Sequence, residues 1–328
     1  MSLIVNNLTK KYGEKTVLDH LSFRMDQPGV YALLGTNGAG KTTAIRMILG
    51  MLAKNEGEAL WNGAPLDTAT CNVGYLAEER GLYPKYGLED QLIYFASLRG
   101  VSRADAKARI RRWAERLEVE EYIYTQNKAA PVNPANNSRF GARAKVKTQK
   151  PKLADQLSKG NQQKIQLMAA LISEPELLIL DEPLSGLDPV NTDLFKSIIR
   201  DEINQGKYLI MSSHQMPTVE EFCTDITILN RSKTILQGNL NEIKKSYGRV
   251  NLYIKTEQNI MRYIAGSGAG LVSKKEFEYN LRVIDEQQAN NLLGTLIQNG
   301  ITVITFDLRE PSLHEIFVEK VGDANEAE

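Results

Sequence analysis

Cysteine is nearly absent: Cys71 and Cys223 are the only two in 328 residues, they sit in unrelated contexts, and together they exclude a disulfide framework and a cysteine-based metal centre. No run of about 18 apolar residues occurs, so no segment reads as a membrane-spanning helix. The opening residues, Met1-Ser2-Leu3-Ile4-Val5-Asn6-Asn7, lack the basic region and long apolar stretch of a signal peptide, which makes the cytoplasm the expected compartment. Net charge is missing as well. With 40 basic residues against 40 acidic ones, no global field draws the chain to nucleic acid or to an anionic membrane, and any such contact must come from a local patch. The length suffices for two domains, or for one large domain with an appendage.

Against this plain background stands one dense motif. The apolar run Val30-Tyr31-Ala32-Leu33-Leu34 leads into Gly35-Thr36-Asn37-Gly38-Ala39-Gly40-Lys41-Thr42-Thr43, after which apolar residues recur at helical spacing. A strand, a glycine loop and a helix start in that order form a phosphate cradle. Glycines let successive backbone N–H groups turn inward toward phosphate oxygens, and the helix dipole adds positive potential. Lys41 reaches the β- and γ-phosphates, and Thr42 offers a hydroxyl to Mg2+.

Upstream, residues 2 to 8 and 16 to 25 alternate as strands, with Lys10-Lys11-Tyr12-Gly13 in the turn between them. Tyr12 is there either a surface tyrosine or a stacking platform for an adenine base. Downstream, Gly57 to Gly63 reads as a strand closed by an Asn-Gly turn, and Val73-Gly74-Tyr75-Leu76 as a short buried strand. Strand signals then vanish for some 80 residues, where Leu88 to Leu98 and Arg103 to Leu117 carry helical periodicity. Residues 125 to 154 read as an insertion: Lys128, Arg139, Arg143, Lys145, Lys147, Lys150 and Lys152 face no acid, and Pro131, Pro134 and Pro151 interrupt the run. A solvated loop is one reading of that stretch, and a basic arm for lipid headgroups or an acidic partner is the other.

Ser158 is placed to cap a helix that runs to about Ser173. Leu177-Leu178-Ile179-Leu180 is continuously apolar, the mark of a strand buried on both faces, and it ends in Asp181-Glu182-Pro183. Open α/β sheets bind ligands at that carboxyl edge. Ser185-Gly186-Leu187-Asp188 turns into a helix over 190 to 204, and Tyr208 to Met211 forms another buried strand ending in Ser212-Ser213-His214. Past Gly238-Asn239 the pattern restarts as a small α+β domain, with a frayed acidic tail expected from Gly322.

Cradle, Leu157-Ser158-Lys159-Gly160 helix start, apolar strand with Asp-Glu, Ser-Gly-Leu-Asp turn and strand-ending His occur in the order that resembles the nucleotide-binding subunits of ATP-binding cassette (ABC) transporters, over residues 1 to 238. The resemblance implies a P-loop NTPase of α/β class: a RecA-like core, an antiparallel β subdomain and a helical signature subdomain over about 84 to 173. The C-terminal α+β domain, 239 to 328, follows it. Gly35, Asn37, Gly38, Ala39, Gly40, Lys41, Thr42 and Thr43 then hold the phosphates of ATP, and Asp181 holds Mg2+ with Thr42. Glu182 becomes the general base and His214 the contact to the γ-phosphate. Tyr12 becomes the adenine platform. Ser158 and Gly160 serve the nucleotide of the opposite subunit, and Ser185 to Asp188 matches the loop that crosses between subunits.

One chain so built holds half of each site, which implies a homodimer or a heterodimer with another ABC ATPase subunit. Glu78 stands where the family usually has a glutamine that senses the metal, so the resemblance implies it as a third metal-site residue beside Thr42 and Asp181, its carboxylate accepting a water of the metal. Gly74-Tyr75-Leu76-Ala77-Glu78-Glu79-Arg80-Gly81-Leu82-Tyr83, with Leu157 to Lys164 and the trailing domain, is similar to the bacterial sodium- and drug-efflux exporter ATPases, where Glu78 is ordinary. In that group a separate transmembrane permease is the partner, so the expected location is the cytoplasmic face of the plasma membrane. No nucleic acid is expected. The rival reading, a soluble ABC ATPase acting on ribosomes or nucleic acid, is disfavoured by the single cradle and by the lack of a heptad run or a cysteine cluster.

Overall fold

The computed structural model describes residues 1–68, 70–78, 81–129 and 146–326, and divides into two compact units, residues 1–214 with 231–233 and residues 215–230 with 234–328. In the first unit, β1 (Leu3–Tyr12) and β2 (Lys15–Met25) pair antiparallel. Strand β1 therefore runs through the stretch predicted as a turn, and Tyr12 is its last residue. After β3 (Gly29–Gly35) and α1 (Lys41–Ile48), β4 (Glu56–Trp61) and β5 (Ala64–Pro65) complete a sheet of order β2-β1-β4-β5.

Next come β6 (Val73–Leu76), the helices α2 (Leu88–Ser97), α3 (Arg103–Arg116) and α4 (Glu120–Ile123), and the short strands β7 (Gln126–Ala129) and β8 (Val146–Gln149). The unit continues through α5 (Lys159–Leu171), β9 (Leu177–Asp181), α6 (Pro189–Asn204) and β10 (Tyr208–Ser213). Strands β3, β10, β9 and β6 run parallel and side by side in that order. Every residue of β3, β9 and β10 is buried, as their unbroken apolar runs require of strands covered on both faces. Helix α1 touches strands of both sheets and so joins the two layers.

Two details fix the edge of the parallel sheet. Gly74 in β6 lies so close to α5 that a Cβ there would meet the Ala170 carbonyl at 2.3 Å, so only glycine lets helix and strand approach to that distance. Ser212 of β10 stands opposite both Asp181 of β9 and Leu33 of β3, which brings the carboxyl ends of the three strands level. The antiparallel pair β7 and β8 corrects the expectation of an all-helical region after Leu76, because a four-residue polar strand carries too little periodicity to register. The centre of the basic stretch, 130–145, lies outside the described residues, as do Glu79 and Arg80.

The second unit contains α7 (Met216–Phe222), β11 (Asp225–Asn230), β12 (Lys233–Asn239) and α8 (Leu240–Tyr247). They are followed by β13 (Asn251–Thr256), α9 (Met261–Ser267), β14 (Gly270–Lys275), β15 (Glu278–Arg282), α10 (Glu286–Gln298), β16 (Val303–Arg309) and α11 (Leu313–Glu326). From β13 to β16 this is a split β-α-β-β-α-β arrangement with sheet order β14-β15-β13-β16, antiparallel throughout. Alternation along β13 and β15 buries Leu252, Ile254, Tyr279 and Leu281, which cluster with Ile264, Ala289, Leu292 and Leu296 of the two helices. Helix α11 continues to Glu326, past the point where a frayed tail is expected, because one internal glycine weakens a helix by about 1 kcal/mol without ending it.

Candidate nucleotide site

The cradle forms where the sequence places it, between β3 and α1. Gly40 precedes the helix at φ 111°, and a Cβ there would lie 2.8 Å from the Val17 carbonyl, so conformation and space both demand glycine. Thr36, Asn37 and Gly38 are exposed on the loop, while Ala39 is buried and its N–H closes a turn onto the Thr36 carbonyl at 3.1 Å. Lys41 is buried. Its Nζ donates to the carbonyls of Gly35 (2.8 Å) and Thr36 (3.3 Å) and lies 3.5 Å from Glu182 Oε1.

Asp181 ends β9 and is buried. Its Oδ1 accepts from Ser212 Oγ at 2.5 Å and from Thr42 Oγ1 at 3.4 Å, whereas Oδ2 has no partner. Burial pushes the Asp181 carboxyl above the ordinary carboxylate range, with the two hydroxyl hydrogen bonds pulling the other way. Glu182, the next residue, takes φ 50° and is 6% exposed. A left-handed glutamate is uncommon and strained, and it persists here because the backbone N–H donates to Ser212 Oγ at 2.9 Å. This turn points the carboxylate at His214, whose Nδ1 lies 2.8 Å from Glu182 Oε2.

The parallel register thus gathers Lys41, Thr42, Asp181, Glu182 and His214 at one sheet edge. Ser212 joins them with two hydrogen bonds and holds both acids, a role that the sequence signals only as a polar residue closing an apolar strand. Thr43 is half-buried in the first turn of α1. Ser158 caps α5 by accepting from Asn161 N–H at 3.3 Å, and a Cβ on Gly160 would come within 3.7 Å of Leu187, beside the Ser185–Asp188 turn. Gln163 of α5 donates to the Pro183 carbonyl at 2.7 Å, which ties this helix to the Asp-Glu corner. Tyr12 is 57% exposed with Lys10 Nζ 4.8 Å from its ring centre, and the exposed Glu78 carries no hydrogen bond to Asp181 or Thr42.

The donor set fits Mg2+. A hard, hydrated cation takes one or two carboxylates and the oxygens of a phosphate ligand, and here one buried carboxylate oxygen without a partner stands beside a threonine hydroxyl. Among the described residues no group of three or more His, Cys, Asp or Glu could form an all-protein cage.

A glycine cradle on a helix start, with an acid at the end of a parallel strand facing its threonine, defines a P-loop nucleotide-binding protein. A family model described as "ABC transporter" matches residues 18–185, and one described as "ATP-binding protein DrrA1-3-like, C-terminal domain" matches residues 238–321. The chain belongs to the ABC transporter family, as an ATP-binding subunit. It is 39% identical to the uncharacterised ABC transporter ATP-binding protein YhaQ of Bacillus subtilis (strain 168), with 98% of each chain covered. The linearmycin resistance ATP-binding protein LnrL of the same strain is 26% identical over 98% of each chain. A solved structure titled "Structure of ATP binding subunit of ABC transporter" superposes with a TM-score of 0.62 at 26% identity, covering 75% of this chain and 93% of that one.

Proposed function

We propose that this chain hydrolyses ATP with Mg2+ and, paired with a second copy of itself at the cytoplasmic face of the membrane, powers export through a separate membrane-spanning permease. The observation that carries the reading is the buried Glu182 carboxylate, aimed between His214 and Lys41 and one residue from Asp181. A glutamate in this position accepts a proton from the attacking water, and His214 fixes the orientation of its carboxylate. Lys41 exchanges its loop carbonyls for phosphate oxygens, and the loop N–H groups with the α1 dipole stabilise the charge that builds there. Thr42 and Asp181 would hold Mg2+, which would further neutralise the phosphates. Ser158 and Gly160, which carry no hydrogen bond to this cluster, serve the second copy's nucleotide, and Tyr12 stacks on adenine.

Export is supported by a relative named for it, a Nod factor export ATP-binding protein, and by relatives named for linearmycin resistance and bacitracin transport, all 26–30% identical to this chain. For the permease, a groove of about 550 Å³ beside the Glu78 segment is lined by Met51, Tyr75, Leu82, Phe95 and Leu98, and Met51 and Leu98 are more than 60% exposed. Apolar side chains left open along one groove mark a protein contact. Among the described residues no helix is long and apolar enough to cross a membrane. The division of the chain at residue 238 is part of the same reading. Phosphate release from ATP and Mg2+ tests it: Glu182→Gln should lower the rate by about 100-fold or more while ATP still binds. An unchanged rate would exclude Glu182 as the base.

A further inference from the structure

Three tyrosines stand in the open where the helical part of the first unit begins: Tyr83, Tyr86 and Tyr94 are 47%, 65% and 48% exposed. They line a cup of about 460 Å³ together with Asp90 and Gln91. Single exposed aromatics are ordinary, but three around one concavity are not. The cup is held in shape by a buried polar side chain. Gln91, 3% exposed, accepts from the Tyr83 N–H at 3.0 Å and donates to the Tyr86 carbonyl at 3.3 Å, which pins the 83–86 turn over α2. The Tyr83 ring stacks on Phe95 at 5.9 Å and meets Tyr86 and Tyr94 edge-on at 5.7 and 6.5 Å.

Asp90 decides what such a cup accepts. Among the described residues its carboxylate has no ion-pair partner, and the described cation–ring contacts lie on other aromatics. A neutral apolar guest would cover the rings and strip water from the carboxylate without replacing it. A cation satisfies both, through the negative ring faces and the acid at their edge. A planar guanidinium does so best, since it stacks on a ring and donates to a carboxylate from one group. Phe95 also lines the apolar groove of Met51 and Leu98, so cup and groove are one continuous surface, far larger than a free small cation could use.

We propose that the cup seats an arginine side chain of the membrane-spanning partner and acts as the charge-selective part of the docking surface; this rests on the permease reading above. The test uses the full chain and two probes of one shape, N-acetyl-arginine methylamide and its neutral citrulline counterpart, with binding followed by saturation-transfer NMR. The arginine probe should bind about tenfold more tightly, and Tyr86→Ala and Asp90→Asn should each remove that preference. Neither residue touches the nucleotide cluster, so ATP-induced thermal stabilisation should persist in both variants. Equal binding of the two probes, or a preference that survives Tyr86→Ala, would overturn the assignment. Choline is the third arm: choline binding more tightly than the arginine probe would assign the cup to a free cation and overturn the partner side chain. The probes read the cup without the permease, so their failure is distinguishable from failure of the permease reading, which co-purification of the full chain with a membrane-spanning protein tests; ATP stabilisation on the same samples checks that the variants are folded.

Discussion

The chemistry of single residues here follows from how three side chains are buried. Asp181 is held ionised only against its burial, so its raised folded-state pKa makes the carboxylate a source of instability at neutral pH. The sign is definite: a raised carboxyl pKa favours folding below the unfolded value and loses that contribution as pH rises through the folded one. Asp181→Asn should therefore melt higher than wild type at pH 7 without Mg2+ and nucleotide. The gap should close when the pH falls below the carboxylate range, and calorimetry across pH checks both. The same substitution should abolish ATP turnover. Cysteine gives a second check, because burial pushes the Cys223 thiol far up while Cys71 is half-buried. A thiol reagent should titrate one cysteine in the native chain and two after unfolding. Asp181, Glu182 and His214 are legible in the sequence as polar residues closing apolar runs. The double grip of Ser212 and the left-handed turn of Glu182 are not, since both depend on the register between β9 and β10.

At the level of elements, legibility follows burial. Strands β3, β9 and β10 are visible because they are covered on both faces, whereas β7, β8 and the short helix α7 carry too few residues for a period to show. Close approach of elements is equally hidden. Nothing in the sequence says that Gly74 faces the Ala170 carbonyl, yet Gly74→Ala should destabilise the first unit by about 1–3 kcal/mol in urea unfolding, since β6 or α5 must move to admit the methyl group. Helix α5 allows a sharper test. Ser158→Ala removes the cap and should lower stability by about 1 kcal/mol. If the hydroxyl also serves the opposite nucleotide, ATP hydrolysis should fall far more than that loss explains, and Ser158→Thr should recover both.

On the scale of the whole molecule, one chain gathers Glu182, Asp181 and Lys41, the proposed base, metal acid and phosphate lysine, while Ser158 and Gly160 stand apart from them. The proposed division of labour between two copies rests on that separation. Mass by light scattering on Glu182→Gln tests it most directly. With ATP and Mg2+ the variant should run at twice the 36.7 kDa of one chain, and with ADP it should return to the mass of one. A variant that binds ATP and remains at 36.7 kDa would contradict the pairing of two copies of this chain.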